Sequence, residues 1–563
     1  MGLVAAAMSV YHLWAALAYL PAHPMRAIHL GFGLALIFLL YPARPGQARD
    51  RIPWYDVALA ALGVAGTGYI VVNYREVAYR IVRPELPDLV WAAVVIVLVL
   101  EASRRTSGWA LPVVGIASLA YGLFGHLLPG LWQHRGYPLE RVLGQLYLSL
   151  EGIFGVPLGV SATFIVLFTL YGAVLDASGA GQFFVELSRA TAGGHRASVG
   201  RSVVLASFLL GGPSGSGVAT AVTVGAVAWP LLRRAGYRPE TAGAVLAAGG
   251  IGAVISPPIL GAASFIIAEI LRVSYLEVIQ YALIPTLLYY LSILLMIEMD
   301  AVRSGVRAVD VQAQPLGQLL RRRGYHLSSL VVIVIFLMMG FTATYAVLWS
   351  MAVAFALSFL SREDRLTPVK VYQALQSGAR SVLNVVATTA VAGILVGVVN
   401  LTGLGLKFAS IIVALAGGNL LATLVLAAVI LLILGLALPI TASYIVAAVT
   451  VAPALVKVGV PEAAAHMFIF YYSVLSEVSP PTALSCFAVS AITGGNPFRT
   501  MWITWRYSLP AFIVPFMFAL HPGGMALLLK GQTWQVALAT LTAAAGVAAL
   551  AAGAGGWVRR ETT

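Results

Sequence analysis

Hydroxyl side chains gather around proline and glycine interruptions of otherwise apolar stretches: Ser214, Ser216 and Thr220, then Ser256, then Thr441 and Ser443, then Ser479 and Thr482. A hydroxyl beside an interrupted helix offers an oxygen ligand to a small cation, together with the carbonyls the break frees. The unpaired N–H groups of the same break carry partial positive charge and attract an anion. Glu477 stands just ahead of Ser479-Pro480-Pro481, where a carboxylate is costly in lipid unless paired, protonated or hydrated. It is read as a candidate proton carrier. The plain alternatives are that the hydroxyls bond the preceding helical turn or pack between helices, and that Glu477 reaches a water-filled vestibule.

The elements that would position these groups come in two copies. Pro230, Gly236, Pro239-Glu240 and Ser256-Pro257-Pro258 are followed by Pro453, Gly459, Pro461-Glu462 and Ser479-Pro480-Pro481, and in each copy the Pro-Pro pair begins 27 residues after the first proline. An ordered set of this kind indicates an internal duplication. Adjacent prolines at membrane depth are tolerated only where the freed carbonyls are buried or line a cavity. Matched breaks in two halves therefore predict a binding site at Pro257, Pro258 and Pro480 and make the chain a transporter candidate.

Composition agrees. With 563 residues, 60% hydrophobic and 10% charged, and a mean hydropathy of +0.92, the chain is expected to be an all-α polytopic membrane protein. Its net charge of +13 sits in short arginine-rich loops, which fits positive-inside sorting rather than nucleic acid. Cys486 is the sole cysteine, so no disulfide framework or thiolate metal site is expected. No paired intramembrane Asp, H-E-x-x-H, nucleophile–base pairing or P-loop is present, so neither an enzyme nor a cofactor is expected. The first twenty residues lack a basic n-region and cleavage site and read as a first span.

Apolar runs near the ~20-residue bilayer length give about 14 spans. Two further segments, 199–232 and 421–455, are interrupted by Gly, Pro and Ser or Thr and read as re-entrant hairpins. Arg189, Arg196 and Arg201 precede the first, and Arg233, Arg234 and Arg238 follow it, so both of its flanks belong in the cytoplasm. The second has Lys407 before it and Lys457 beside Glu462 after it, which suggests entry from outside and an inverted repeat. Threading places both termini in the cytoplasm; the loop with Arg75, Arg80 and Arg83 disagrees, partly offset by Glu76 and Glu85. Leu139, Val142, Leu143, Leu146, Tyr147 and Leu150 form a helical stripe, read equally well as a helix on the membrane surface or as a covered one.

These residues resemble the membrane component of TRAP transporters, specifically the TAXI-type permease with fused small and large membrane subunits. The likeness runs through "LEASRRTSGWALP" from Leu100, "GPSGSGVATAVTVG" from Gly212, "RRAGYRPETAGAV" from Arg233, "SPPILGAASFIIAE" from Ser256 and "SPPTALSCFAVSAI" from Ser479. It implies an elevator-type, ATP-independent importer of a small organic anion in a prokaryotic inner membrane. Such an importer is driven by Na+ or H+ and supplied by a periplasmic TAXI-type substrate-binding protein. It further implies a small-subunit-like scaffold at 1–135, an arm helix at 136–155 and a transport domain at 156–563, with repeats at about 156–300 and 381–522. Ion and substrate contacts carried over are Ser214, Gly215, Ser216, Ser256, Pro257, Pro439, Thr441 and Pro480. Thr220 stands where the family commonly has Asn, Val254 where Gln is frequent and Ile440 where Thr is frequent, which leaves the choice between sodium and proton open. A stand-alone anion symporter, a passive channel and an intramembrane enzyme are the competing readings.

Overall fold

The computed structural model describes residues 1–44, 51–191, 197–214, 216–303, 305–307 and 314–555, with only the backbone of 212–214. These residues are helical with no strand, and ten helices are long and apolar enough to cross a bilayer. Other apolar helices, including Gly2–Ala15, His326–Met338 and Leu404–Leu415, are shorter, and the two Pro-Pro spans are each split in two. The longest helix, Pro368–Thr402, shows how local chemistry sets the ends. The Thr367 hydroxyl accepts from the Lys370 N–H at 3.4 Å, proline occupies the first turn, and Gly403 at φ +68° stops it. At 35 residues it spans roughly 50 Å, well beyond the hydrocarbon core.

The chain divides into two compact units. The first comprises Met1–Val174, Thr367–Asn419 and Ala437–Val458. Here Pro368–Thr402 packs against Gly2–Ala15, Ala22–Leu40, Leu86–Ser107 and Ala110–Phe124. It comes so close to the turn at 150–155 that a Cβ on Gly393 would lie 2.4 Å from the Gly152 carbonyl oxygen. Arg105 is buried with Asp56 at 2.7 Å and also donates to the Tyr41 carbonyl, while Arg104 donates to that of Ala43. These bonds let the first unit hold charges that burial alone would penalise. A second buried polar row crosses three elements. The Met8 carbonyl can only accept, so neutral His12 presents Nε2 to His29 Nδ1–H at 2.8 Å, and His29 Nε2 accepts from the Ser161 hydroxyl at 2.9 Å. Ser161 begins a π-helical turn, Ser161–Ile165, a local widening that recurs at functional sites.

The predicted stripe forms the helix Leu139–Tyr147. Val142, Leu146 and Tyr147 are buried while Leu139 stays exposed, and the Tyr147 hydroxyl donates to the Gly66 carbonyl at 2.5 Å. Protein therefore covers the middle of the stripe. In the charge-rich loop that disagreed with the threading, Arg80 is paired: it lies 3.1 Å from Glu85 and donates to Asp88 at 3.2 Å.

The second unit comprises Leu175–Leu366, Leu420–Leu436 and Gly459–Thr563. Ser198–Ser214 and Gly217–Arg234 are the arms of the first predicted hairpin, and both pack on Pro239–Val254. That helix is buried from Ala242 to Val254 and dense in Gly and Ala, which lets neighbouring backbones approach closely. The second predicted hairpin breaks between Leu420–Ala437 and Ile440–Thr450, at Pro439. Its first arm belongs almost wholly to the second unit and its second arm to the first.

Candidate functional site

The first Pro-Pro pair separates Pro239–Val254 from Ala263–Leu271. A break at this depth needs new partners for its backbone, and the following helix, Tyr275–Arg303, supplies several. Thr286 donates to the Ile255 carbonyl at 2.6 Å, Tyr289 to that of Ala248 at 2.7 Å, and the Leu260 N–H donates to the Tyr275 hydroxyl at 2.9 Å. The Gly261 N–H closes the loop onto the Val254 carbonyl at 2.7 Å. The second pair separates Glu462–Leu475 and the 3-10 turn Ser476–Val478 from Leu484–Thr493. Both prolyl bonds, Pro257-Pro258 and Pro480-Pro481, are cis.

Four of the predicted hydroxyls already have protein partners. Ser256 donates to the Gly252 carbonyl at 2.7 Å and shares a 3.1 Å hydrogen bond with the Tyr290 hydroxyl. Ser479 donates to Leu475 at 2.8 Å and Thr220 to Ser216 at 3.0 Å, each one turn back along its helix. Ser216 caps Gly217–Arg234, its side chain accepting from the Ala219 N–H at 3.3 Å. Ser443 differs: it is fully buried and its hydroxyl has no hydrogen-bond partner among the described residues. Thr441, Thr482, Pro257, Pro258, Pro439 and Pro480 are half-buried. Gly215 and the Ser214 side chain lie outside the described residues.

Within the second unit, three predicted pieces converge. A Cβ on Gly217, the first residue of its helix, would lie 2.9 Å from Glu477 Oε2 and 3.0 Å from Ile251 Cα, and one on Gly250 would lie 2.5 Å from the Gly217 carbonyl oxygen. The tip of the first hairpin thus meets both the helix leading into the first break and the carboxylate leading into the second. Glu477 is 8% exposed and accepts from the Ser485 hydroxyl at 3.4 Å. Pro439, Thr441 and Ser443 belong to the first unit. Among the described residues, no cluster of three or more His, Cys, Asp or Glu is placed to hold a metal.

Sequence reasoning overlooked Ser485, Tyr275, Thr286, Tyr289 and Tyr290, and placed Gly217 in the tip of the first hairpin without making it a site residue. The tyrosines carried a signal, since polar tips inside an apolar span require partners when buried. Ser485 carried none beyond its place after the second break.

A multi-helix membrane protein with two broken spans and interrupted hairpin segments is the class these features define. A family model, "Tripartite ATP-independent periplasmic transporter, DctM component", matches residues 94–523, and the chain belongs to that family. It is 35% identical over 94 residues to the 2,3-diketo-L-gulonate TRAP transporter large permease protein YiaN of Escherichia coli K12. It is 34% identical over 100 residues to the uncharacterized protein YgiK of Salmonella typhimurium LT2. These alignments span 22% and 23% of the two relatives. Among solved structures, the Alcanivorax borkumensis YdaH transporter aligns over 81% of this chain and 98% of its own, at 14% identity and a TM-score of 0.43. That likeness is too loose to carry an argument.

Proposed function

We propose that this protein is a secondary active importer of a small organic anion, a carboxylate or amino acid, in a prokaryotic inner membrane. It is driven by a sodium or proton gradient and receives its substrate from a periplasmic TAXI-type binding protein. The observation that carries this reading is the pair of broken spans inside a chain of the DctM family, because interrupted helices place opposite dipole ends and free carbonyls at one depth. Residues 1–135 act as a fused scaffold, 136–155 as an arm and 156–563 as the transport domain, moving as an elevator with both termini cytoplasmic. Ser214, Gly215, Ser216, Thr220, Ser256, Pro257, Pro258, Pro439, Thr441, Ser443, Ser479, Pro480 and Thr482 form the ion and substrate region, and Glu477 carries a proton.

The test is uptake into proteoliposomes containing the full chain and its cognate binding protein, with sodium and proton gradients imposed separately. Accumulation against the substrate gradient under one of them is expected. If neither drives accumulation, secondary transport is excluded; accumulation without the binding protein would instead identify a stand-alone symporter.

A further inference from the structure

We propose that an apolar cleft between helix Ala180–Thr191 and the two arms of the first hairpin seats an acyl chain of an anionic phospholipid, whose phosphate is held by Arg189 together with Arg233 and Arg234. The site goes beyond the transport reading and does not depend on it, since its ligand is a component of the membrane rather than a transported solute.

Ala180–Thr191 packs on Ser198–Ser214, which packs in turn on Gly217–Arg234. The cleft between the three encloses about 290 Å³, its open side included, and is walled by Val185, Val203, Ala206, Val224, Ala228 and Leu231. It exists because valine and alanine stand where longer side chains would close the gap. The two hydroxyls in its wall are turned onto their own helices: Ser188 donates to the Val185 carbonyl and Ser202 to the Val199 carbonyl, each at 2.8 Å. A polar solute therefore finds no partner inside, whereas an apolar chain gives up nothing by entering. From Val224 to Leu231 the wall runs two helical turns, roughly 10 Å, which suits a length of acyl chain.

Charge marks one end of the cleft. Arg189 lines it from the last turn of its helix, Val199 and Ser202 line it from the start of the next, and Leu231 lines it just before Arg233 and Arg234 close the third. The three helix ends thus meet at one mouth. Arg233 and Arg234 are exposed, and among the described residues none of the three arginines has an ion-pair partner. Nearby carboxylates are engaged elsewhere: Glu186 faces Arg323 at 3.7 Å, and Glu298 is paired with Arg201. Cations at the mouth of an apolar cleft match a molecule with a hydrocarbon chain and an anionic head, and long arginine stems can reach the headgroup level from a half-buried backbone. These flanks are also the ones that positive-inside sorting assigns to the cytoplasm, where basic pockets between membrane helices bind such headgroups.

The test places the full chain in nanodiscs that carry a phosphatidylglycerol with a photoreactive diazirine in one acyl chain or, separately, the matching phosphatidylcholine, and maps the adducts by peptide mass spectrometry. Phosphatidylglycerol should label Val185, Val203 or Val227, which border the cleft, several-fold more than phosphatidylcholine does. Arg189→Gln should lower that preference roughly fivefold, and the triple variant with Arg233→Gln and Arg234→Gln should abolish it. Labelling elsewhere on the chain should stay unchanged in both variants, which reports that they fold. Val227 is 47% exposed at the rim, so Val227→Trp should block the cleft and suppress its labelling by either lipid. No adduct in the cleft, equal labelling by the two lipids, or an undiminished preference in the triple variant overturns the proposal. Competition by glycerol 3-phosphate as strong as that by the whole lipid would show that the arginines bind phosphate without the cleft, and overturns it too. Oxidation of Val227→Cys to a disulfide-linked dimer, with the cleft unlabelled, would identify a second copy as the occupant and likewise overturn it.

Discussion

Ser443 and Ser256 are both buried serines at breaks, and their surroundings make them respond oppositely to the same substitution. The Ser443 hydroxyl has no partner among the described residues, so Ser443→Ala removes an unsatisfied group and should leave stability unchanged or raise it by about 1 kcal/mol. Ser256→Ala gives up bonds to Gly252 and Tyr290 and should cost about 1 kcal/mol. Denaturant titration of both variants in bicelles measures the difference. If Ser443 ligates substrate or ion, its alanine variant loses uptake at undiminished stability, a combination that loss of packing would not produce. The sequence could locate these hydroxyls because prolines flag the breaks around them. It could not tell a satisfied hydroxyl from an orphan, because the decisive partner of Ser256 is Tyr290 on the following helix and the isolation of Ser443 depends on what packs around it.

Breaks themselves were legible for a stronger reason: two adjacent prolines cannot continue a helix in any context. What secures the breaks was not legible, because it lies on neighbouring helices. The Thr286 hydroxyl satisfies the Ile255 carbonyl, so Thr286→Val, which keeps the shape and removes the donor, should destabilise by roughly 1–2 kcal/mol. Denaturant titration of that variant checks it. Gly435 gives a sharper test of element packing. A Cβ there would stand 1.9 Å from Ser476 Oγ and 2.2 Å from its Cβ, so Gly435→Ala should cost about 1–3 kcal/mol through overpacking. Ser476→Gly opens the same space from the other side. The double variant should recover most of the loss, giving a coupling of about 1 kcal/mol or more; additive losses would show that the close approach does not control this contact. The helix count was less legible than the breaks, because apolar runs of 10–17 residues form real helices here that hydropathy alone cannot separate from full spans.

For the whole molecule, the arrangement of charge is the observable on which the proposed orientation rests. Arg303, Arg307, Arg321, Arg322, Arg323, Arg362, Arg365 and Lys370 crowd two loops that the proposed threading separates by two crossings, and positive-inside sorting favours the cytoplasm for short basic loops. The contrary loop at Arg75, Arg80 and Arg83 is weak opposition, because Arg80 is spent on Glu85 and Asp88. Cys486 is buried, so a Cys486→Ala chain serves as a background for single-cysteine labelling in intact cells. With membrane-impermeant maleimide, Ser274→Cys and Gln532→Cys should label, whereas Gln318→Cys and Arg362→Cys should label only after permeabilisation. All four positions are exposed, so a silent site reports sidedness rather than burial. Labelling of Gln318→Cys from outside would invert the threading, and with it the cytoplasmic entry of the first hairpin. Labelling of Ser274→Cys and protection of Gln532→Cys would leave that entry intact and place the error after the second break, where Arg499 and Arg506 are the charges that the threading assigns to the cytoplasm.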